Sequence, residues 1–189
     1  IVMTQAPDKI RWTIADLELL ATDEWKRYEI IDGELFVTRA PHFKHQSSAG
    51  KIHARLLEWC ESTGNGEPII APGVIFSDAD NVIPDVIWIS NQRLAQVVDA
   101  EGHFTGAPEL VVEILSEGIS NERRDREVKL KLYSIKGVQE YWIVDWRKQQ
   151  IEVYQRQNAQ LVQVATLFAN DIISSSLLPG FSCQVKQFF

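Results

Sequence analysis

The chain has 189 residues, 45% of them hydrophobic, enough to bury one core without a reason to divide residues 1–189 into more than one domain. Its net charge of −7 opposes attraction to a polyanion across the whole surface and excludes a protein that merely coats nucleic acid. No apolar run approaches the roughly 20 residues needed to span a bilayer, and residues 1–9 carry no apolar signal segment, so a soluble cytoplasmic protein without a membrane partner is expected.

Thr13 with Asp16 three residues later marks a short capped helix over 13–20. The strand-like runs on either side of Asp32-Gly33 predict a β-hairpin over 28–37, because a two-residue type I′ turn needs positive φ at both central positions. From His42 or His45 to Ser62, the spacing of Ile52, Leu56, Leu57, Trp59 and Cys60 predicts an amphipathic helix that stops at Gly64. Strands are expected over 68–76 and 83–89, then a loop or short helix over 91–98, a loop over 99–108 and a central strand over 109–115. A helix over 121–135 ends at Gly137, a strand follows over 138–145, and 150–155 pairs with 161–167 about Asn158-Ala159. A short stretch over 171–174 and a tail at 179–181 close the chain. The pattern is α/β or α+β, a mixed sheet with helices and an N-terminal hairpin. Cys60 and Cys183 have no Cys or His at metal-ligand spacing, so two ordinary thiols are expected and no zinc site or disulfide.

Two acids stand out. Asp85 lies between Pro84 and the apolar run 86–89, and Glu113 lies inside the apolar run 110–115, where an ionised group is costly unless something pairs with it. A hard divalent cation, Mg²⁺ or Mn²⁺, is the natural partner: it takes oxygen ligands, and Asp85, Glu113 and the main-chain carbonyl of Ile114 supply such a set. Lys129, on the margin of a helix face defined by Val128, Leu132 and Ile135, is the candidate to position a water beside that metal. Arg123, Arg124 and Arg126 give the same helix a local excess of positive charge that could hold nucleic-acid phosphates; the alternative is a solvated face of i,i+4 pairs. Glu140, next to the aromatics of the 138–145 strand, is a candidate to hydrogen-bond Lys129 or another basic residue of that helix.

Taken in order, Tyr28 to Leu35, His45-Gln46, Pro84-Asp85-Val86, Pro108 to Ser116 with Glu113 inside it, Arg124-Asp125, Lys129 to Tyr133 and Gly137 to Asp145 resemble the Uma family of restriction endonucleases. That family sits within the PD-(D/E)XK nuclease superfamily, and the match spans residues 13 to 155. The resemblance implies a restriction-endonuclease-like core, a central mixed β-sheet flanked by helices, with a metal at Asp85 and Glu113. It also implies an auxiliary acid, Glu34 first and Glu29 second, a phosphate- or acid-contacting role for His45, and a homodimer. One position departs: the superfamily lysine two residues after the second acid is Leu115 here, and Lys129 matches a lysine that the Uma pattern carries on the next helix.

Three functions are compatible with these residues. The first is a Mg²⁺-dependent endonuclease hydrolysing DNA phosphodiesters. The second is a nuclease fold kept as a catalytically inactive nucleic-acid-binding or protein-interaction module. The third is a structural acid pair, which predicts a salt bridge from Arg124 or Lys129 to Glu113 and no open pocket.

Overall fold

The computed structural model describes residues 9–20, 23 and 25–189; most of the segment read as lacking a signal sequence, residues 1–8, lies outside them. A short helix, α1 (Ile14–Leu19), starts where the backbone N–H and hydroxyl of Thr13 both donate to Asp16 Oδ2, at 2.7 and 2.8 Å. Strands β1 (Lys26–Ile31) and β2 (Glu34–Arg39) form the hairpin, with Asp32 and Gly33 at φ of 49° and 72° as the turn requires. Helix α2 (Phe43–Thr63) begins where His42 Nδ1 accepts the Lys44 N–H and ends in left-handed Gly64.

The run 68–76 is two strands, not one. β3 (Glu67–Ile70) and β4 (Val74–Ser77) join different sheets, separated at Ala71-Pro72-Gly73, where Ala71 has a positive φ of 49°. Next come β5 (Asp80–Val82), β6 (Val86–Ile89), α3 (Asn91–Val97) and β7 (Leu110–Ile114). The helix expected over 121–135 has three parts: α4 (Ile119–Arg123), a π-helical turn (Arg124–Lys129) and α5 (Leu130–Lys136). Then follow β8 (Glu140–Asp145), β9 (Gln150–Gln157), β10 (Gln160–Phe168), and a hairpin of β11 (Ile172–Ser175) and β12 (Leu178–Gln184) that the sequence did not announce. A 3₁₀ turn, Val185–Phe188, ends the chain with Phe188 fully buried.

The central sheet has the order β10-β9-β8-β7-β6-β3 and is mixed, because β7 and β8 run parallel while their neighbours are antiparallel. A parallel pair needs a crossover, and the segment from α4 to α5 supplies it. Side chains alternate across the sheet. Leu110, Val112, Ile114, Trp142 and Val144 pack with Ile52, Leu56 and Trp59 of α2 and with Phe181 and Phe188, while Val111, Leu115, Tyr141 and Ile143 pack with Leu132 and Tyr133 of α5. Glu113 therefore falls on the α5 face. A second sheet, β2-β1-β5-β4, meets the central one through residues 83–85, which lead from β5 into β6. No helix among the described residues is long and apolar enough to cross a membrane.

Candidate active site

The junction of the two sheets gathers charge from four places. Arg27 and Glu29 stand two residues apart on β1 and so share a face. Asp85 ends the link into β6, Glu113 sits on β7, and Lys129 ends the π-helical turn. Asp85, Glu113, Glu29 and Lys129 are all buried, at 4%, 2%, 3% and 1% relative exposure. Lys129 Nζ lies 2.9 Å from Glu113 Oε1 and 2.9 Å from Glu29 Oε1, bridging the two sheets. Tyr133, one turn further along, donates its hydroxyl to Glu113 Oε1 at 2.7 Å. Glu29 Oε1 also accepts the Ile83 N–H at 2.8 Å. Asp85 is held separately: Arg27 Nη1 donates to Oδ1 at 2.9 Å, the Ile114 N–H donates to Oδ2 at 2.9 Å, and His45 Nε2 lies 3.2 Å from Oδ2. Beside them Arg124 makes a two-pronged pair with buried Asp125, whose Oδ1 lies 4.0 Å from Lys129 Nζ.

The electrostatics separate the two principal acids. Burial alone would raise the Asp85 carboxyl, but the His45 contact, the Ile114 N–H and the Arg27 charge hold it well below the usual carboxylate range. Glu113 goes the other way. Burial pushes it up to about 8, and the carboxylates of Asp85, Asp125 and Glu29 reinforce that against the pull of Lys129. Burial would lower Lys129, yet Glu113, Glu29 and Asp125 together raise it, so the ammonium is firmly charged.

Four carboxylates, Glu113, Glu29, Asp85 and Asp125, stand here with three cations, Lys129, Arg27 and Arg124. Added positive charge is favoured there. Strand alternation turns the N–H and C=O of Ile114 toward Asp85, while the Leu115 N–H donates to Val144 of β8. The two acids and this carbonyl fit a hard cation with oxygen ligands. Among the described residues no group of three or more His, Cys, Asp or Glu side chains is placed to hold a metal ion by itself. A space of about 20 Å³ touches Asp85, Glu113, Glu29 and Lys129. It shares Thr38, Arg39, Pro41, His45 and Ser116 with a cleft of about 330 Å³ that extends to His42, Asn121 and Trp146.

Comparison with known proteins bears on the family and the fold. A family model described as "Uma2: Putative restriction endonuclease" matches residues 14–186. The chain belongs to that family. The fold is also that of a crystal structure from Anabaena variabilis described as a "putative nuclease belonging to DUF820", with a TM-score of 0.74, 18% identity and coverage of 94% of this chain and 97% of the other. No curated protein matches the sequence.

In this Uma2 chain the candidates divide sharply. Asp85, Glu113, Ile114, Lys129 and His45 converge. Glu34 does not: it is exposed at the turn end of the hairpin, two residue pairs beyond the Glu29 level, and Glu29 occupies the cluster instead. Glu140 does not reach Lys129 either. It falls on the α2 face of the sheet, where it accepts from Trp142 Nε1, Ser175 Oγ and Gln155 Nε2 at 2.6, 3.0 and 3.2 Å. The arginines expected to face phosphate are already paired: Arg123 with Glu127, buried Arg124 with Asp125, and Arg126 with Glu152 and Glu122. The expected helix face holds in part. Of the face expected from Val128, Leu132 and Ile135, Leu132 is buried and Val128 packs on the same core, Lys129 and Tyr133 are buried beside them, and Ile135 is exposed.

Arg27, Glu29 and Tyr133 are the members that sequence reasoning missed or ranked too low. The signal for Tyr133 was its i+4 spacing from Lys129. For Arg27 it was the i+2 spacing from Glu29 on a strand, which becomes informative only once Glu29 is known to face inward.

Proposed function

We propose that the protein is a metal-dependent endonuclease that hydrolyses DNA phosphodiesters, with Asp85, Glu113 and the Ile114 carbonyl holding Mg²⁺ or Mn²⁺. The observation that carries this reading is the opening beside the pair: a structural acid pair also predicts the Lys129–Glu113 bridge, but not a space at Asp85, Glu113 and Lys129 that shares its lining with a cleft of about 330 Å³. The ammonium reaches the acid from the next helix, so its place in space is kept while its place in sequence changes.

When bound, the metal supplies Lewis acidity toward the phosphate and lowers the pKa of water. The chain's residues do the rest. Lys129, pinned between Glu113 and Glu29, donates to the attacking water or to a phosphate oxygen and adds positive charge where the transition state gathers negative charge. Tyr133 fixes the Glu113 carboxyl through its hydroxyl. Arg27 and the Ile114 N–H set the orientation of Asp85. The homodimer that the resemblance implies belongs to this reading; sedimentation analysis tests it. Two buried free thiols, Cys60 and Cys183, suit a reducing cytoplasm.

Cleavage of plasmid and oligonucleotide DNA with Mg²⁺ or Mn²⁺ tests the reading, comparing wild type with Asp85→Ala and Glu113→Ala. Loss of cutting in both supports it; two variants as active as wild type overturn it. A second reading, a nuclease fold serving as a binding module without turnover, draws on the fact that Asp85 and Glu113 already have protein donors. Calorimetric titration with Mg²⁺ separates the two, since a module without turnover needs no metal at Asp85.

A further inference from the structure

We infer that the cleft beside the acidic centre is a subsite for one unpaired nucleotide of a single-stranded DNA segment, read by Arg39 and by a stack of aromatic rings. The inference rests on the nuclease reading for its substrate class, and its own observations are separate from the acid cluster.

The first observation is the rings. His42 stacks on Trp146 with centroids 4.9 Å apart and planes 14° from parallel, and Phe43, exposed at 72%, lies 4.7 Å from His42 on the same ladder. His42 and Trp146 line the cleft. Such flat faces offer a base the stacking it loses on leaving its neighbours, and they discriminate little among bases because every base has a π-face. The second observation is the charge. Lys44 Nζ sits 5.7 Å from the centre of the Trp146 ring, and Arg39 lines the cleft. Neither has a carboxylate partner among the described residues, whereas Arg123, Arg124 and Arg126 do. Glu117 is the one carboxylate in the lining of this cleft, and neither cation is paired with it; in a chain of net charge −7, two such cations beside a ring stack form a local phosphate site.

The third observation is continuity. Thr38, Arg39, Pro41, His45 and Ser116 border both this cleft and the space at Asp85 and Glu113. His45 is 3% exposed, contacts Asp85 through Nε2 and, among the described residues, has no partner for Nδ1. A strand whose phosphate lies at the acids would therefore place its adjacent nucleotide among these groups. A duplex is a poorer fit. Its bases are already stacked on one another, and binding it along its length calls for many phosphate contacts, while the helix expected to provide them has its arginines paired.

The test is fluorescence anisotropy with a labelled single-stranded oligodeoxynucleotide of about a dozen nucleotides and with the duplex of the same sequence, in EDTA so that nothing is cut. Wild type binds the single strand more tightly. Arg39→Gln and His42→Asn each weaken that binding about tenfold, and Arg39→Gln also lowers the salt slope by about one. Asparagine keeps the N-cap of α2 while removing the ring, so thermal melting of His42→Asn stays near wild type. Binding of both variants at wild-type strength, an equal loss on duplex, or no binding by wild type overturns the inference. Intact, variant-sensitive binding without any Mg²⁺-dependent cutting overturns the nuclease reading and leaves the subsite standing. Normal cutting by Arg39→Gln and His42→Asn, with unchanged binding, does the reverse.

Discussion

Glu113 on β7 and Glu140 on β8 are buried glutamates on adjacent parallel strands, and burial pushes both carboxyls up. They face opposite sides of the sheet. Glu140 meets only neutral donors, the indole of Trp142, the amide of Gln155 and the hydroxyl of Ser175, inside the core around α2. Glu113 meets Lys129 and Tyr133, has three further carboxylates nearby, and borders a space that leads to a cleft. The comparison teaches that the cost of burying an acid does not by itself identify a working site. Charged company and an opening do.

Substitution at the two positions should break the symmetry first. Glu113→Gln in the nuclease assay is expected to lose at least about a thousandfold in Mg²⁺-dependent cutting, at the upper end for losing a group that stabilises charge in the transition state. Glu140→Gln is expected to cut within about twofold of wild type. An equally inactive Glu140→Gln would show that the two faces are not functionally distinct.

Lys129→Met is the next largest effect. It leaves Glu113 and Glu29 buried without their shared cation, and breaking a buried pair from one side costs about 3–5 kcal/mol. Urea denaturation reads this directly. Adding Glu113→Gln to Lys129→Met should recover part of the loss, because one of the stranded charges is then gone; a strictly additive double variant would mean the pair is not coupled.

The same residues show how far the sequence could be read. The hairpin at Asp32-Gly33, the helix ending at Gly64 and the two central strands follow from turn chemistry and periodicity, which are local. Asp85, Glu113 and Lys129 were legible because a charge in an apolar setting is an anomaly that local sequence displays. Glu29 lost to Glu34 because the two differ only in position along a strand relative to another sheet, a tertiary fact. Of the expected inward face of the 119–136 segment, Leu132 and Val128 pack on the core and Ile135 does not, while the π turn at 124–129, which a 3.6-residue period does not announce, sets Arg124, Asp125 and Lys129 among the buried residues. Glu140 was sent to the wrong face although its even spacing from Trp142 and Val144 gave the answer once Glu113 was fixed on the other side. The β11–β12 hairpin carries Ser-rich and Pro-Gly segments whose pairing is stabilised by packing of Phe181 and Cys183, and that packing is invisible locally.

The pH dependence of the metal-free protein sharpens the contrast further. A carboxyl whose folded pKa is raised contributes stability below its unfolded value, and that contribution fades as pH rises through the folded value. For Glu113 the window runs from 4.5 to about 8. Wild type should therefore lose stability across that window relative to Glu113→Gln, and saturating Mg²⁺ should flatten the difference by favouring the carboxylate. Chemical denaturation at several pH values, with and without the metal, measures it. Identical slopes for the two proteins would place the raised carboxyl elsewhere.

Glu140→Gln gives the smallest effect and the cleanest control. Burial raises the Glu140 carboxyl, with the Trp142, Ser175 and Gln155 bonds pulling against it, so the ionised form is the costly one in the folded state. The sign follows: wild-type stability is intact below the ordinary glutamate value of 4.5 and falls as pH rises above it. An amide keeps an acceptor for the indole and cannot ionise. Glu140→Gln should melt above wild type at mildly alkaline pH, and the gain should vanish in acid. Because no cation, cleft or neighbouring carboxylate is involved, Mg²⁺ should leave that gain untouched. A metal-sensitive gain at Glu140 would mean that the two faces of the sheet communicate, and the distinction between a structural and a working acid would have to be drawn elsewhere.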